Sequence, residues 1–94
     1  MLIVAGWIRV EANGRDRYVA ECVDVVRQAR TSRGCLDFAI TADSIEPDRI
    51  NIYERWDNDE NLAGFRGAGP SDEQNAQILD AQVAKYRISA VEGP

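Results

Sequence analysis

Histidine is absent from all 94 residues of the sequence. It is the commonest protein ligand for metal ions and a frequent general base near neutral pH. Any catalysis by this chain must therefore use carboxylates, tyrosine, arginine, amides or the substrate itself. This single absence excludes most familiar hydrolase sites and the usual histidine-ligated metal and haem centres.

Long apolar runs are missing as well, since none approaches the roughly 18 residues of a membrane span. The first residues, Met1 to Val4, also lack a charged leader and a cleavage site. We therefore expect a cytoplasmic protein with no membrane partner. Sixteen acidic against eleven basic side chains give a net charge of −5, and a negative domain repels a phosphate backbone. Nucleic acid is not expected as a partner.

Cysteines are few, and Cys22 and Cys35 match no metal-binding or redox spacing. Two free, buried thiols are the simplest interpretation. The chain also has no glycine-rich phosphate loop. Together with the missing histidine, these features predict a protein without a metal or any other cofactor.

The first strand carries the clearest pattern that is present. Leu2 to Val10 is almost continuously apolar and rich in β-branched residues, which predicts a strand buried on both faces. One helical layer covers only one face of a sheet, and a chain of 94 residues buries only about 60–65% of its unfolded surface. We therefore predict a homodimer whose sheets pack face to face over roughly 2,000 Å² or more.

The rest of the chain alternates between helical and strand periods. An amphipathic helix is predicted from the turn at residues 12–14 as far as Gly34, followed by strands at 35–41, 49–56 and 82–91. The order β-α-β-β-α-(α)-β places residues 1–94 in the α+β class as a single domain. The expected architecture is a ferredoxin-like split βαβ arrangement, a four-stranded antiparallel sheet with helices on one face.

Several side-chain positions follow from these periods. Leu36, Phe38 and Ile40 are expected on one face of the second strand. Asp57 with Glu60 forms a capping-box pattern at the start of a helix that ends at Gly67.

A breaker at residues 67–70 separates that helix from a further short one. Ser71 with Gln74 is a second capping-box pattern, and Ala76 and Leu79 are expected to face inward.

Three stretches, "IVAGWIRV", "GCLDFAIT" and "INIYERWDNDENLAGF", together resemble the antibiotic biosynthesis monooxygenase (ABM) domain family of the dimeric α+β barrel superfamily. The resemblance extends over residues 2–91. It implies a cofactor-independent monooxygenase that oxidises a flat aromatic or quinol-type small molecule with O₂. The alternative is a non-catalytic or stress-related dimeric α+β barrel that binds a small apolar metabolite.

The haem-degrading branch of the superfamily fits less well. Its motif positions, an Asn, a Trp and an iron-binding His, fall by ungapped counting on Trp7, Phe65 and Asn75. No iron ligand remains at these positions. Many relatives also carry a His where this sequence has Phe65.

Asn51 is the predicted catalytic residue, because an amide among apolar strand neighbours can donate to a developing anion. A hydrogen bond at a strand edge or a dimer interface would explain it equally well. The predicted substrate-binding residues are Trp7, Phe65, Trp56, Tyr53 and Asn75. For the aromatic members, packing in the core or at the dimer interface is the open alternative.

Overall fold

The computed structural model describes residues 1–67 and 72–94, which form an α+β domain. The helices and strands of this part of the chain are β1 Leu2–Arg9, α1 Arg15–Glu21, α2 Val23–Arg30, β2 Cys35–Ala42, β3 Arg49–Trp56, α3 Asp59–Arg66, α4 Asp72–Ala76 and β4 Asp80–Arg87. A short 3₁₀ turn, Ala12–Gly14, leads into α1. The predicted order of elements is confirmed.

The four strands form one antiparallel sheet in the order β2-β3-β1-β4. The first and third strands are therefore central, as in the predicted ferredoxin-like split βαβ arrangement. Residues paired across neighbouring strands share a face of the sheet. We call the face that packs against the helices the inner face and the opposite one the outer face.

The hydrophobic core lies between the inner face and the helices, in two clusters. The first joins one end of the central strands, together with β2, to α2 and α3 and contains Leu2, Val4, Ala29, Phe38, Trp56 and Leu62. The second joins β1 and β3 to α1 and contains Ile8, Val10, Tyr18, Cys22 and Ile50. Apolar residues at every second strand position form this core, as the alternating pattern predicts.

The predicted first helix is interrupted at Cys22 and ends at Arg30, before Gly34. The hydroxyl groups of Thr31 and Ser32 donate to the carbonyl oxygen of Gln28, at 3.1 and 2.8 Å. These side chains hydrogen-bond the backbone in place of a further helical turn, which ends the helix early.

Gly34 connects this helix to β2 with a φ of 81°, in the left-handed region that favours glycine. A Cβ atom here would also collide with the side chains of Asp57 and Asn61. The glycine therefore permits both the turn and the close approach of the start of α3.

A bulge in β2 reverses the predicted position of Leu36. The strand register shifts between Cys35 and Asp37, which makes Leu36 the extra residue. Leu36 is 47% exposed, whereas Cys35 packs against the core cluster that contains Phe38. The prediction that Leu36 shares the face of Phe38 is wrong because a bulge shifts the alternation by one residue.

The N-cap of α3 is Asn58, not the predicted Asp57. The Asn58 side chain accepts a hydrogen bond of 2.9 Å from the backbone N–H of Asn61. Asp57 instead accepts from the side-chain amide of Asn61, also at 2.9 Å. Glu60 lies in the first turn, where its charge favours the helix dipole. The predicted end of the helix at Gly67 is confirmed.

The second short helix does not bury the residues expected of it. Ala76 is exposed and Leu79 is 62% exposed, because α4 has only five residues and β4 begins at Asp80. Ile78 packs against the second core cluster instead. Ser71, of the predicted capping box, and residues 68–70 of the predicted breaker lie outside the described residues.

Candidate active site

An apolar cavity of about 230 Å³ lies between the inner face and the helices. Its carbon-lined walls come from all four strands, from α2 and from the segment before β4. These residues are Ile8, Val25, Phe38, Ile40, Ile52, Ile78 and Val83. A cavity between layers with mostly apolar walls is the usual form of a small-molecule site.

The sheet leaves space under this cavity because β1 has a glycine on its inner face. Gly6 is paired with Ile52 on one side and Val83 on the other, and both of these residues line the cavity. A Cβ atom at Gly6 would collide with the carbonyl oxygen of Gln82. Only glycine fits at this position, and its missing side chain leaves the space beside Ile52 and Val83 open.

Among the described residues that line the cavity, Glu54 is the one charged residue, and it is buried, at 8% exposure. The indole N–H of Trp56 donates to its Oε1 at 3.0 Å. The guanidinium of Arg66 lies 3.8 Å from Oε2. Burial raises the pKa of Glu54, and the Trp56 hydrogen bond and the Arg66 charge oppose that rise.

Three neutral polar side chains, Tyr18, Cys22 and Gln74, complete the cavity lining. The Gln74 amide donates to the sulfur of Cys22 at 3.4 Å. Burial raises the pKa of both the Tyr18 phenol and the Cys22 thiol, so both stay protonated near neutral pH. Among the described residues of the lining, the Glu54 carboxyl is therefore the group that can serve as a base there.

A groove beside Arg30 and Asp37 is larger, at about 350 Å³. It is polar and open to solvent, so a bound molecule there would stay in contact with water. The inner cavity is the better candidate for chemistry that depends on a dry environment.

Two of the predicted substrate-binding residues, Trp56 and Phe65, belong to the helix side of the sheet. The rings of Trp56 and Phe65 lie 5.4 Å apart between centroids, and Phe65 meets Phe38 edge-on at 5.6 Å. Trp56 is fully buried. Trp56 contacts Glu54, and Phe65 contacts Phe38. Both contacts are with residues that line the cavity.

The predicted catalytic residue, Asn51, and two more of the predicted substrate-binding residues, Trp7 and Tyr53, lie on the outer face. Trp7 and Asn51 are directly paired in β1 and β3, and Tyr53 is the next outer-face residue of β3. The guanidinium groups of Arg9 and Arg49 lie 4.9 and 5.6 Å from the Trp7 ring centroid. Trp7, Asn51 and Tyr53 therefore form a cluster, but the sheet separates this cluster from the cavity.

Asn51 has partners for both ends of its amide. Its oxygen accepts from Arg49 Nε at 2.8 Å, and its Nδ2 donates to Asp43 at 2.9 Å. Asn75 lies exposed on α4. Trp7, Asn51 and Phe65 therefore do not line one common pocket. Strand alternation places Trp7 and Asn51 on the outer face, whereas Phe65 contacts Phe38 and Trp56 on the helix side.

Glu54 is absent from the predicted site, although the sequence contains a signal for it. Ile50, Ile52 and Trp56 occupy the inward positions of β3, and Glu54 is the carboxylate in the same phase. An acidic residue at an otherwise apolar strand position marks a buried ionisable group. Glu54 and Arg55 point to opposite faces, as the strand period predicts.

Residues 1–67 and 72–94 bring no three potential metal ligands of the His, Cys, Asp and Glu types together. The same residues include no helix long and apolar enough to cross a membrane.

The fold and the cavity define a class, a small ferredoxin-like α+β domain with an apolar site between sheet and helices. The family model named antibiotic biosynthesis monooxygenase matches residues 1–76. The chain belongs to this family.

Solved structures give the same result for the fold. One is a protein from Deinococcus radiodurans whose name provisionally assigns it to the antibiotic biosynthesis monooxygenases. It is 18% identical, with a TM-score of 0.86 over 100% of this chain and 98% of its own. A similarly named protein from Nitrosomonas europaea is 13% identical, with a TM-score of 0.81 over 96% and 100% of the two chains. Among proteins with curated descriptions, none matches the chain in sequence.

Proposed function

We propose that the protein is a cofactor-independent monooxygenase that oxidises a flat aromatic or quinol-type molecule with O₂ in the inner cavity. The observation that carries the proposal is an apolar cavity between sheet and helices with one buried carboxylate, Glu54, in its lining. Family membership supports the same reaction class.

The chemistry needs a substrate with an acidic C–H or O–H beside a carbonyl or aromatic ring. After loss of a proton, the electron-rich anion can reduce O₂ itself. For a CH₂ group the balance is R₂CH₂ + O₂ → R₂C=O + H₂O, in which both C–H electron pairs pass to oxygen and one oxygen atom stays on carbon. The protein's part is to exclude water and to stabilise the anion.

Cavity size restricts the substrate. Sites for drug-sized ligands usually measure about 300–1,000 Å³, and this one measures about 230 Å³. A molecule of one or two fused rings fits better than a larger polycycle. The walls formed by Phe38, Ile40 and Ile52 suit the faces of such a ring system.

We also infer that the protein acts as a homodimer through its outer face. Ile3, Trp7 and Tyr53 present apolar surface there, on strands whose inner face is already covered by helices. A second subunit packed on this face would remove this apolar surface from water.

Oxygen uptake tests the function. Purified protein is incubated in air with hydroquinones, naphthoquinols, 2-tetralone and anthrones, and O₂ consumption and products are measured. We expect protein-dependent uptake with the one- and two-ring compounds, at one O₂ for each carbonyl formed from a CH₂ group. No protein-dependent uptake with any compound would refute the proposal.

A matched pair of variants locates the reaction. Val83→Trp fills the cavity from β4, and we expect uptake to fall by at least about 10-fold because the substrate is displaced. Val23→Trp adds the same ring to the exposed side of α2, away from the cavity and the outer face, and is expected to leave uptake unchanged. Equal uptake by both variants would place the reaction elsewhere.

The small volume and the apolar lining also favour a second function, the binding of a small apolar metabolite without oxidation. The two functions differ in one measurement. Binding of a panel compound that Val83→Trp abolishes, with no O₂ uptake by the native protein, would support the binding protein.

A further inference from the structure

We propose that Glu54 is the catalytic base of the inner cavity and takes the proton from the carbon or oxygen atom that is then oxidised. This inference rests on the proposed oxygenase function and assigns the proton-transfer step to one atom, Glu54 Oε2.

The two oxygens of Glu54 have different surroundings. Oε1 accepts the indole N–H of Trp56 at 3.0 Å, which fixes the carboxyl plane from the buried end of β3. Oε2 accepts no hydrogen bond from residues 1–67 or 72–94, and its nearest cation is Arg66 at 3.8 Å. One oxygen is therefore held in place, and the other keeps lone pairs for a substrate proton.

Glu54 lies in the middle of the sheet, paired with Val4 in β1 and Phe38 in β2. Phe38 also lines the cavity. A flat ring packed against Phe38 would bring its edge next to the Glu54 carboxyl. This is the arrangement that proton abstraction requires, a base within hydrogen-bond reach of an acidic C–H or O–H.

Within the part of the chain that the structure describes, the groups around Glu54 leave it as the one base of the site. Arg66 of α3 is the cation that faces it, and the charge of Glu54 also acts on the thiol of Cys35 in β2. Tyr18 and Cys22, from the helical layer, line the same cavity. Burial raises the pKa of the Tyr18 phenol and of the Cys22 and Cys35 thiols, so these three groups remain neutral. Burial also raises the pKa of Glu54 and makes it a stronger base than an exposed glutamate.

The proposed step conserves charge. The electron pair of the substrate C–H bond stays on the substrate as the enolate, and the proton moves to Oε2. Glu54 becomes neutral as the substrate becomes negative, so the apolar cavity holds one negative charge before and after the transfer. No additional charge has to be desolvated. Once O₂ has accepted the electrons, the carboxylic acid returns the proton to the reduced oxygen.

Deuterium exchange without oxygen tests this step separately from oxidation. The probe is 2-tetralone, a two-ring ketone whose C1 hydrogens lie between the ring and the carbonyl. Under argon in D₂O, loss of the C1 proton signal is followed by NMR. We expect native protein to accelerate exchange, and Glu54→Gln, which keeps an acceptor for Trp56, to lower the rate by at least about 100-fold. Glu60→Gln, on the exposed first turn of α3, is the matched control and should exchange like native protein.

A second variant gives a readout that a purely structural role would not change. Arg66 lowers the pKa of Glu54, and its side chain is 53% exposed, so Arg66→Met should fold normally. The exchange rate rises with pH as Glu54 loses its proton, and we expect Arg66→Met to move this rise to higher pH. Arg27→Met removes an exposed arginine that lies 3.8 Å from Asp24 and is expected to leave the profile unchanged.

The outcomes separate the two proposals. No acceleration by native protein, exchange by Glu54→Gln at the native rate, or an unshifted profile for Arg66→Met would each overturn the assignment of Glu54. Exchange that depends on Glu54 but is not followed by O₂ uptake in air would confirm the base and overturn the oxygenase. O₂ uptake that survives Glu54→Gln would overturn the assignment of Glu54 and support the oxygenase function.

Discussion

Glu54 is a carboxylate at a position where the neighbouring inward residues of β3 are apolar, and this placement has a cost in stability. Burial raises its folded-state pKa above the ordinary 4.5. The folded protein then holds its proton more tightly than the unfolded chain does. The free energy of unfolding therefore keeps its full value below pH 4.5 and decreases as the pH rises through the folded-state pKa of Glu54.

We therefore predict that Glu54→Gln melts at a higher temperature than native protein at pH 7 and at nearly the same temperature at pH 4. Thermal unfolding at both pH values is the measurement. A gain in stability together with a loss of exchange activity is expected of a functional residue. A lower melting temperature at pH 7 would instead show that the carboxylate stabilises the core.

Asn51 gives a second prediction at this scale. Its amide joins Arg49 to Asp43, so Asn51→Ala leaves two polar partners at the end of the β2–β3 loop without their bonds. We expect a loss of about 1–2 kcal/mol in the free energy of unfolding, with O₂ uptake per folded molecule unchanged. Denaturant titration and oxygen uptake measure the two quantities.

If Asn51 instead has the catalytic role predicted from the sequence, Asn51→Ala gives the opposite result. That role requires turnover to fall by about 100-fold, the effect of losing one oxyanion donor, with little change in melting temperature. That result would move the reaction to the outer face, where Trp7 and Tyr53 also lie.

At the scale of elements, the start of α3 tests the corrected helix cap. Asn58→Ala removes the side-chain acceptor for the Asn61 amide, and we expect it to cost about 1 kcal/mol of stability. Asn58→Asp keeps the acceptor and adds a charge that favours the helix dipole, so it should retain native stability. Urea unfolding of both variants is the measurement, and equal stability of the two would refute the assignment of this cap.

A salt-bridge cluster joins α3 to β4. Asp59 lies 2.7 Å from Arg87 and 2.9 Å from Lys85. The Arg87 hydrogen bond, followed by that of Lys85, holds the pKa of Asp59 far below its ordinary 3.8. Because the folded-state pKa is lowered, the stabilising contribution is present above pH 3.8 and is lost as the pH falls toward the folded-state value.

Asp59→Asn should therefore be less stable than native protein at pH 7, with a difference that shrinks steadily below pH 3.8. Chemical unfolding across this range is the measurement. Asp43 is a second carboxylate with a lowered pKa and gives an independent comparison of pH dependence. Hydrogen bonds from the backbone N–H of Glu46, the Asn51 amide and the backbone N–H of Ile45 lower its pKa to about 2. A difference for Asp59→Asn that does not depend on pH would refute the charged cluster.

At the scale of the whole molecule, the outer face predicts the assembly. Ala84, Ala5, Tyr53 and Ala39 form one row across the four strands, and small residues let a second sheet approach closely. We expect a dimer at micromolar concentration by light scattering, and a monomer for Ala5→Glu, which buries a charge in the interface. Val23→Glu, on the exposed side of α2, should remain dimeric. A monomeric native protein would remove the prediction.

The sequence by itself determined the features that depend on neighbours along the chain. The period of two in Arg49–Trp56 predicts a strand with Glu54 and Arg55 on opposite faces, and the structure confirms both. The order of elements then leads to the ferredoxin-like α+β fold. Composition alone restricts the chemistry, because a chain without histidine must use other groups.

Only the tertiary structure decided which residues meet. Alternation shows that Trp7 and Asn51 can share a face, but the contacts of α1, α2 and α3 determine that this face is the outer one. The bulge at Leu36 likewise depends on the pairing of β2 with β3. Glu54 becomes a candidate base because residues of α2 and of all four strands line a cavity beside it. Which residues meet depends on contacts between segments distant in sequence, whereas local periodicity shows only which residues share a face.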